Sequence, residues 1–304
     1  MARMKSQPRT LYSALLKLLK RKAESFWVRI KRRFVLYFFM CHPVNRGTKS
    51  HKLPGKLIIS LTSYPPRFNT LKPVLKSLLS QTLVPNSVIL WIAKSDISTL
   101  PCEIHRLKEF GLDIRECQDF KSYKKIIPAI LELPDAFIVT ADDDIIYERR
   151  WLETMVEQYR SPSEIVFRRG HTVRYSPDGS VMPYSNWDWE STSVESCVDN
   201  FPTSGAGALF PPGVFDSRVV DDTLFRRLAP TADDLWLYWM ARLAGAKFRR
   251  VGPARCPLMI VNRAQEVALS YHNNGPTDMN TIYIKRLEAE FGILKPDNPL
   301  SSPH

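Results

Sequence analysis

Cysteine is sparse and unpatterned in this chain. Cys41, Cys102, Cys117, Cys197 and Cys256 are odd in number, widely scattered and free of any C-x-x-C pair. That spacing argues against a disulfide framework and a thiolate zinc site, and reduced thiols in a cytosolic compartment are expected. Long apolar runs are also missing. The longest, Phe34 to Cys41, has eight residues, whereas a spanning helix needs roughly 18 or more, so no membrane crossing is expected. Arg32 and Arg33 interrupt the apolar region, and His42-Pro43-Val44 stands where a small-residue cleavage site would. No signal peptide is therefore expected. Histidine is scarce, and neither an internal repeat nor a low-complexity segment occurs. Acid is nearly absent from one region. Residues 1–56 hold 15 Lys or Arg and the single acid Glu24, so the net charge of +12 resides there and the remainder is close to neutral.

Within 304 residues of 44% hydrophobic content there is enough apolar material for one large α/β core or two small ones. In residues 11–38, Leu11, Leu15, Leu19, Ala23, Phe26, Ile30, Phe34 and Tyr37 recur at steps of three and four, with Lys17, Lys20, Arg21, Lys31 and Arg32 on other faces. This is the pattern of a basic amphipathic helix. An anionic membrane surface met through residues 11–40 is its expected partner, in preference to specific nucleic acid. Pro43, Gly47, Pro54 and Gly55 mark a linker, which divides the chain into a basic segment with its linker (1–52) and a second domain (53–304).

From Lys56 onward, strand and helix patterns alternate, which predicts a mostly parallel sheet with crossover helices. Strands are expected at Leu57 to Leu61, Val88 to Ile92, Ile114 to Cys117, Phe137 to Val139 and Ile165 to Phe167. Helices are expected from an Asn69 cap through Ser80, over Glu103 to Phe110, from Ser122 through Leu131 and over Trp151 to Tyr159.

The run Phe137-Ile138-Val139 reads as a buried central strand that delivers Asp142, Asp143 and Asp144 to its carboxyl end, where such sheets bind ligands. Three adjacent carboxylates repel one another unless a cation or solvent offsets them. Strand alternation aims Asp142 and Asp144 one way and Asp143 another. Two hard oxygen ligands on one side suit Mg²⁺ or Mn²⁺ shared with a diphosphate.

Other stretches carry weaker signals. Thr62, Ser63, Tyr64 and Arg67, just past the first strand, could hold a nucleotide or could form only a Pro-Pro turn. Tyr123, Lys124 and Lys125 open the helix before the acidic strand, where a cation could approach a phosphate. Trp187 and Trp189, flanking Asp188, suit stacking on a sugar ring or packing in a core. Gly205 and Gly207, in Ser204 to Pro212, would let backbone approach a ligand closely. Asp233 and Asp234 open a helix that Thr231 could cap. They either serve the helix dipole or supply a base that takes a proton from an acceptor hydroxyl. His272, among amides in a polar loop, is a candidate metal ligand.

The order of these pieces resembles a GT-A glycosyltransferase, in particular the family 2-like bacterial enzymes of surface polysaccharide synthesis. The resemblance runs from Lys56 to Asp278. It rests on Ile58 to Arg67, Ser122 to Ala129, Val139 to Asp144, Gly205 to Pro212 and Pro230 to Trp236. It implies a GT-A fold, Asp142 and Asp144 on a divalent metal, and a nucleotide-sugar donor, a UDP-sugar foremost. Thr62, Ser63, Tyr64, Arg67, Tyr123, Lys124, Lys125, Asp143, Gly205 and Gly207 would then bind the donor, and Asp234 or Asp233 would be the base of an inverting transfer to a glycan or lipid-linked acceptor. Such an enzyme would sit in the cytoplasm on the inner face of the cell membrane. Thr62-Ser63-Tyr64-Pro65-Pro66 departs from the family's usual nucleotide-site opening. A nucleotidyltransferase of similar fold and a non-enzymatic membrane- or nucleic-acid-binding protein are the alternatives.

Overall fold

In a computed structural model, which describes residues 30, 33–253, 259–261 and 277–297, the alternation read from the sequence becomes one mixed sheet flanked by helices. Its strands are β1 (Leu57–Thr62), β2 (Ser87–Ala93), β3 (Leu112–Cys117), β4 (Phe137–Ala141), β6 (Glu164–Phe167), β9 (Ala208–Phe210) and β10 (Lys247–Arg250). Their order is β10-β6-β9-β4-β1-β2-β3. Two-stranded pairs join β5 (Ile145–Ile146) to β11 (Met259–Ile260), and β7 (Gly170–Thr172) to β8 (Asn200–Pro202). The expected fold class, a mostly parallel α/β sheet covered by helices, is the one observed.

Strand direction places the functional edge. β4, β1, β2 and β3 pair in parallel, as do β6 and β10, while β9 runs antiparallel to both β4 and β6. Six strands therefore point one way and β9 points back. The carboxyl ends of β1 and β4 consequently meet the amino end of β9, which brings Ser63, Asp142 and Gly205 to one edge.

Burial explains why β4 is central. All five of its residues are buried, and the β-branched Ile138, Val139 and Thr140 fill both faces of the sheet. On one side, the helix Asp233–Leu243 inserts Trp236 and Trp239 into a core with Phe201, Phe225 and Phe248. A smaller apolar cluster gathers Ile58, Ile89, Trp91 and Ile138.

Several local expectations need correction. Asn69 lies inside the helix Phe68–Leu79 instead of capping it, because the turn Pro65–Arg67 leads straight in. Ser122 does not open a continuous helix. A 3₁₀ turn, Lys121–Lys125, breaks at Ile126 before Ile127–Glu132 begins with proline in its first turn, where the missing N–H costs nothing.

The chain divides into two units, Met1–Pro43 and Val44–His304. In the first, residues 33–41 are helical, and Phe34, Tyr37, Phe38 and Met40 are exposed. Residues 11–29 of the amphipathic stripe lie outside the described residues. In the second, part of the stretch read as linker is docked: Gly47 N–H donates to the Gln81 carbonyl at 3.0 Å, and the Lys49 ammonium pairs with Glu153.

One buried chain of hydrogen bonds links the sheet to the site. The Trp91 indole N–H donates to Ser60 Oγ at 2.9 Å, and Ser60 Oγ donates to the Lys125 carbonyl at 2.7 Å. Ser60→Ala would strand a buried donor and acceptor together, so it should lower unfolding stability by about 2 kcal/mol. Urea denaturation of the variant checks this, and an unchanged midpoint would contradict it.

Candidate functional site

A cleft of about 840 Å³ opens at the carboxyl edge of the sheet. Its walls come from the turn after β1, the acids after β4, the segment before β9 and the head of helix Asp233–Leu243. Thr62, Ser63, Tyr64, Arg67, Lys124, Lys125, Asp142, Asp143, Asp144, Gly205, Asp233 and Asp234 all line it. They come from segments far apart in sequence.

The acid triplet is divided by its partners. Asp143 is the buried member, accepting from Ser63 Oγ at 2.6 Å and from Arg67 at 2.6 Å. It clamps the β1 turn against the end of β4. Arg67 also reaches Asp144 at 3.1 Å, and its guanidinium lies 5.6 Å from the Tyr64 ring centroid. Asp142 takes a hydrogen bond from the Lys125 ammonium at 3.0 Å. Burial and the nearby Asp142 push the Asp144 carboxyl up to about 6, against the pull of Arg67.

Gly205 has a specific reason for being glycine. A Cβ there would stand 2.1 Å from Asp142 Oδ2, so the absent side chain is what lets that carboxylate sit at the cleft wall. Tyr147 bonds both sides of the same junction: its hydroxyl donates to the Gly205 carbonyl at 2.6 Å and meets the Asp142 N–H at 2.7 Å.

Lys125 connects the two acidic clusters. Only 6% exposed, its ammonium stands 3.0 Å from Asp142 Oδ1 and 3.0 Å from Asp233 Oδ2. Burial disfavours its charge, but Asp142, Asp233 and Asp234 outweigh that cost and hold its pKa well above the ordinary lysine value. The contact with Asp233 is one of charge; Oδ2 has no aligned hydrogen-bond donor. Lys124, also buried, pairs with Asp119 at 3.1 Å.

Asp234 is held differently. Its Oδ1 accepts from the Ser204 N–H at 3.0 Å and from the Ser204 hydroxyl, while no hydrogen bond to Oδ2 is made among the described residues. Burial and neighbouring Asp233 raise its carboxyl to about 6, against Lys125 and Ser204. A carboxylate so poised is mostly ionised at neutral pH, yet basic enough to take a proton. Ser204 was part of a run of small residues in the sequence, and nothing there marked it as the support of Asp234.

Several expected site residues stand elsewhere. Tyr123 belongs to the core: it is 1% exposed, its hydroxyl donates to the Ala229 carbonyl at 2.6 Å, and its ring stacks on Phe225. Gly207 faces away from the cleft, against the Trp151 indole at 2.5 Å from where its Cβ would be. Thr231 makes no cap; Ala232 holds that position, and the Thr231 hydroxyl meets the Tyr283 hydroxyl at 3.0 Å. Of the two tryptophans, Trp187 is buried and Trp189 is exposed. His272 lies outside the described residues.

The donor set can be tested against a metal. Asp142 and Asp144 offer hard oxygens, and their mutual repulsion is what a divalent cation would relieve. Among the described residues no group of three or more acids, histidines or cysteines is arranged to hold a cation. A cation here would be held by these two carboxylates alone and would draw its remaining ligands from a substrate and water, as Mg²⁺ commonly does.

No family model and no curated protein matches the chain. Similar solved structures include GalNAc-T7 with UDP, GalNAc and Mn²⁺, at 11% identity and TM-score 0.41, spanning 64% of this chain but only 42% of that one. Another is the inositol-1-phosphate CTP transferase from T. maritima, at 9% identity and TM-score 0.41, covering 77% of this chain and 96% of that one. A third is CMP:2-keto-3-deoxy-manno-octonic acid synthetase complexed with CTP, at 12% identity and TM-score 0.36, covering 68% and 92%. Likeness at this depth carries no functional argument.

The raised carboxyl of Asp234 has a thermodynamic signature. A folded-state value of about 6 against an ordinary 3.8 means its favourable contribution is complete below the ordinary value and is lost as pH rises through 6. Asp234→Asn keeps an oxygen for Ser204 and removes the charge. In metal-free buffer the variant should melt above the wild type at neutral pH, and that advantage should shrink as pH falls through 6 towards 4. A variant that melts lower at neutral pH would contradict the assignment.

Proposed function

We propose that the protein is a metal-dependent glycosyltransferase that moves a sugar from a nucleotide-sugar, a UDP-sugar foremost, to a hydroxyl of a glycan or lipid-linked acceptor. The observation that carries this reading is the Lys125 bridge, which sets two separately encoded acid clusters side by side in one cleft. One cluster suits a leaving diphosphate and the other an entering hydroxyl. An inverting displacement needs that division.

In this reading Asp142 and Asp144 hold Mn²⁺ or Mg²⁺. When bound, the cation offsets charge building on the leaving nucleoside diphosphate. Thr62, Ser63 and Tyr64 take the nucleotide, with Arg67 fixed over Tyr64 by Asp143 and Asp144. Lys124 and Lys125 supply positive charge at the phosphates, and Gly205 gives close approach beside Asp142. Asp234, with Oδ1 anchored on Ser204, uses Oδ2 to take the proton of the acceptor hydroxyl. Asp233 is the weaker candidate for base because Lys125 already holds its carboxylate.

The setting we favour is synthesis of a bacterial surface polysaccharide (O-antigen, lipopolysaccharide or capsule), on the cytoplasmic face of the membrane. The excess of positive charge in residues 1–56 and the exposed Phe34, Tyr37, Phe38 and Met40 support a role for residues 1–52 in meeting anionic lipid, with residues 53–304 as the catalytic domain.

Two experiments test the proposal. A panel of sugar nucleotides should include one that raises the melting temperature only with Mn²⁺ or Mg²⁺. Asp142→Asn and Asp144→Asn should abolish that rise, whereas Asp234→Asn should keep it and lose about 10²–10⁴-fold in turnover. Stabilisation by every nucleotide regardless of metal would overturn the metal assignment. Separately, removal of residues 1–40 should release the protein from anionic liposomes while leaving transfer to a soluble acceptor analogue intact. Equal liposome retention of the truncated and full chains, at low and moderate salt, would refute the membrane role.

A further inference from the structure

The segment around Trp189 is built more tightly than an exposed loop requires. Asp188 exchanges two backbone hydrogen bonds with Thr172, at 2.9 and 3.0 Å, so the chain there is extended, and Trp187 and Trp189, two residues apart, share the face that meets Tyr184. Trp187 is buried there, its indole N–H donating to the Met182 carbonyl at 3.0 Å. Trp189 lies at the edge of that face and is 47% exposed on the cleft wall. Glu190 follows with a φ of 52°, in the left-handed region that non-glycine residues seldom adopt. Its N–H donates to His171 Nδ1 at 3.1 Å, which secures that turn.

The indole is gripped on two sides. The His171 ring lies 4.6 Å away, tilted by 46°, and the Tyr184 ring lies 5.3 Å away, nearly perpendicular. Arg169 also lines the cleft and pairs with Glu190 at 3.0 Å. Tyr184 lines the same cleft as Asp234; burial raises its phenol above the ordinary value, and the charge of Asp234 adds to that rise. The aromatic group is therefore continuous with the wall that bears Asp234.

We infer that Trp189, held by His171 and Tyr184, is an acceptor subsite that takes a pyranose ring on the exposed indole. The inference rests on the glycosyl-transfer reading and narrows its acceptor to a carbohydrate. A pyranose matches the chemistry of the surroundings. Its apolar C–H face can lie on the indole while its hydroxyl edge meets Arg169 and Glu190. A lipid tail would need a broader apolar groove, and the charged Arg169, Asp188 and Glu190 beside the ring do not supply one. His171 is a positioning residue here. Its Nδ1 must stay unprotonated to accept from Glu190, and burial lowers its pKa to about 4.

Saturation-transfer NMR on the full chain, with methyl glucosides, galactosides and mannosides as probes, tests the subsite directly. At least one pyranoside should receive saturation, and Trp189→Ala should weaken its binding about tenfold while Trp189→Phe retains most of it. His171→Gln, which keeps an acceptor for Glu190, should bind better than His171→Ala. The rise in melting temperature that UDP and Mn²⁺ produce, measured against each variant's own ligand-free value, should be the same in all four variants and the wild type, which reports separately on the donor side. Pyranoside binding with no metal-dependent stabilisation by any sugar nucleotide of the panel would sink the transferase reading and leave the subsite standing. Equal pyranoside binding by wild type and Trp189→Ala, or no pyranoside bound by the wild type, would overturn the subsite.

Discussion

A single buried ammonium organises the site. Lys125 lies between Asp142 and Asp233 at 3.0 Å from each, and without it two carboxylate clusters would face each other across a desolvated wall. Burying a lone charge is expensive, and the expense is recovered only by close opposite charge. Here the dependence is mutual. The acids keep Lys125 protonated, and Lys125 makes the approach of the acids tolerable. Ser60 secures its backbone from the sheet side through the Trp91 indole, so the bridge is tied to the core of the fold.

The remaining charge in the cleft is left uncompensated in a useful way. Arg67 neutralises Asp143 and part of Asp144, and Lys125 serves Asp142 and Asp233. Burial raises the carboxyls of Asp143, Asp144 and Asp234 alike, and it takes Asp144 and Asp234 up to about 6. Burial and like-charge repulsion of this kind cost stability, and such strained groups cluster at functional sites. Asp144 lies on the side assigned to the cation and Asp234 on the side assigned to the acceptor.

Much of this was legible in the sequence, and the failures share a physical cause. The buried strand ending in Asp142-Asp143-Asp144 could be read because a short β-branched run and a charge triplet are both local signals. Strand alternation set Asp143 apart from Asp142 and Asp144, and Asp143 is indeed the one member buried against Ser63 and Arg67. The partners themselves, Ser63 and Arg67 for Asp143 and Lys125 for Asp142, were not legible. Tyr123 and Lys125 were read alike because a regular helix was expected. The 3₁₀ turn and the break at Ile126 instead place Tyr123 in the core and Lys125 at the acids. Gly205 and Gly207 look equivalent in sequence, yet one makes room for Asp142 and the other for Trp151. Each miss turns on a contact distant in sequence, which periodicity cannot report.

The central claim is that the two acid clusters share a displacement at one anomeric carbon, with the leaving diphosphate on one side and the activated hydroxyl on the other. The configuration of that carbon in the product is its most direct record. Proton NMR of the glycoside formed from a UDP-sugar of known configuration should show it inverted. Retention of the donor's configuration would contradict the account, because a single displacement by a hydroxyl that Asp234 deprotonates can only invert the anomeric carbon.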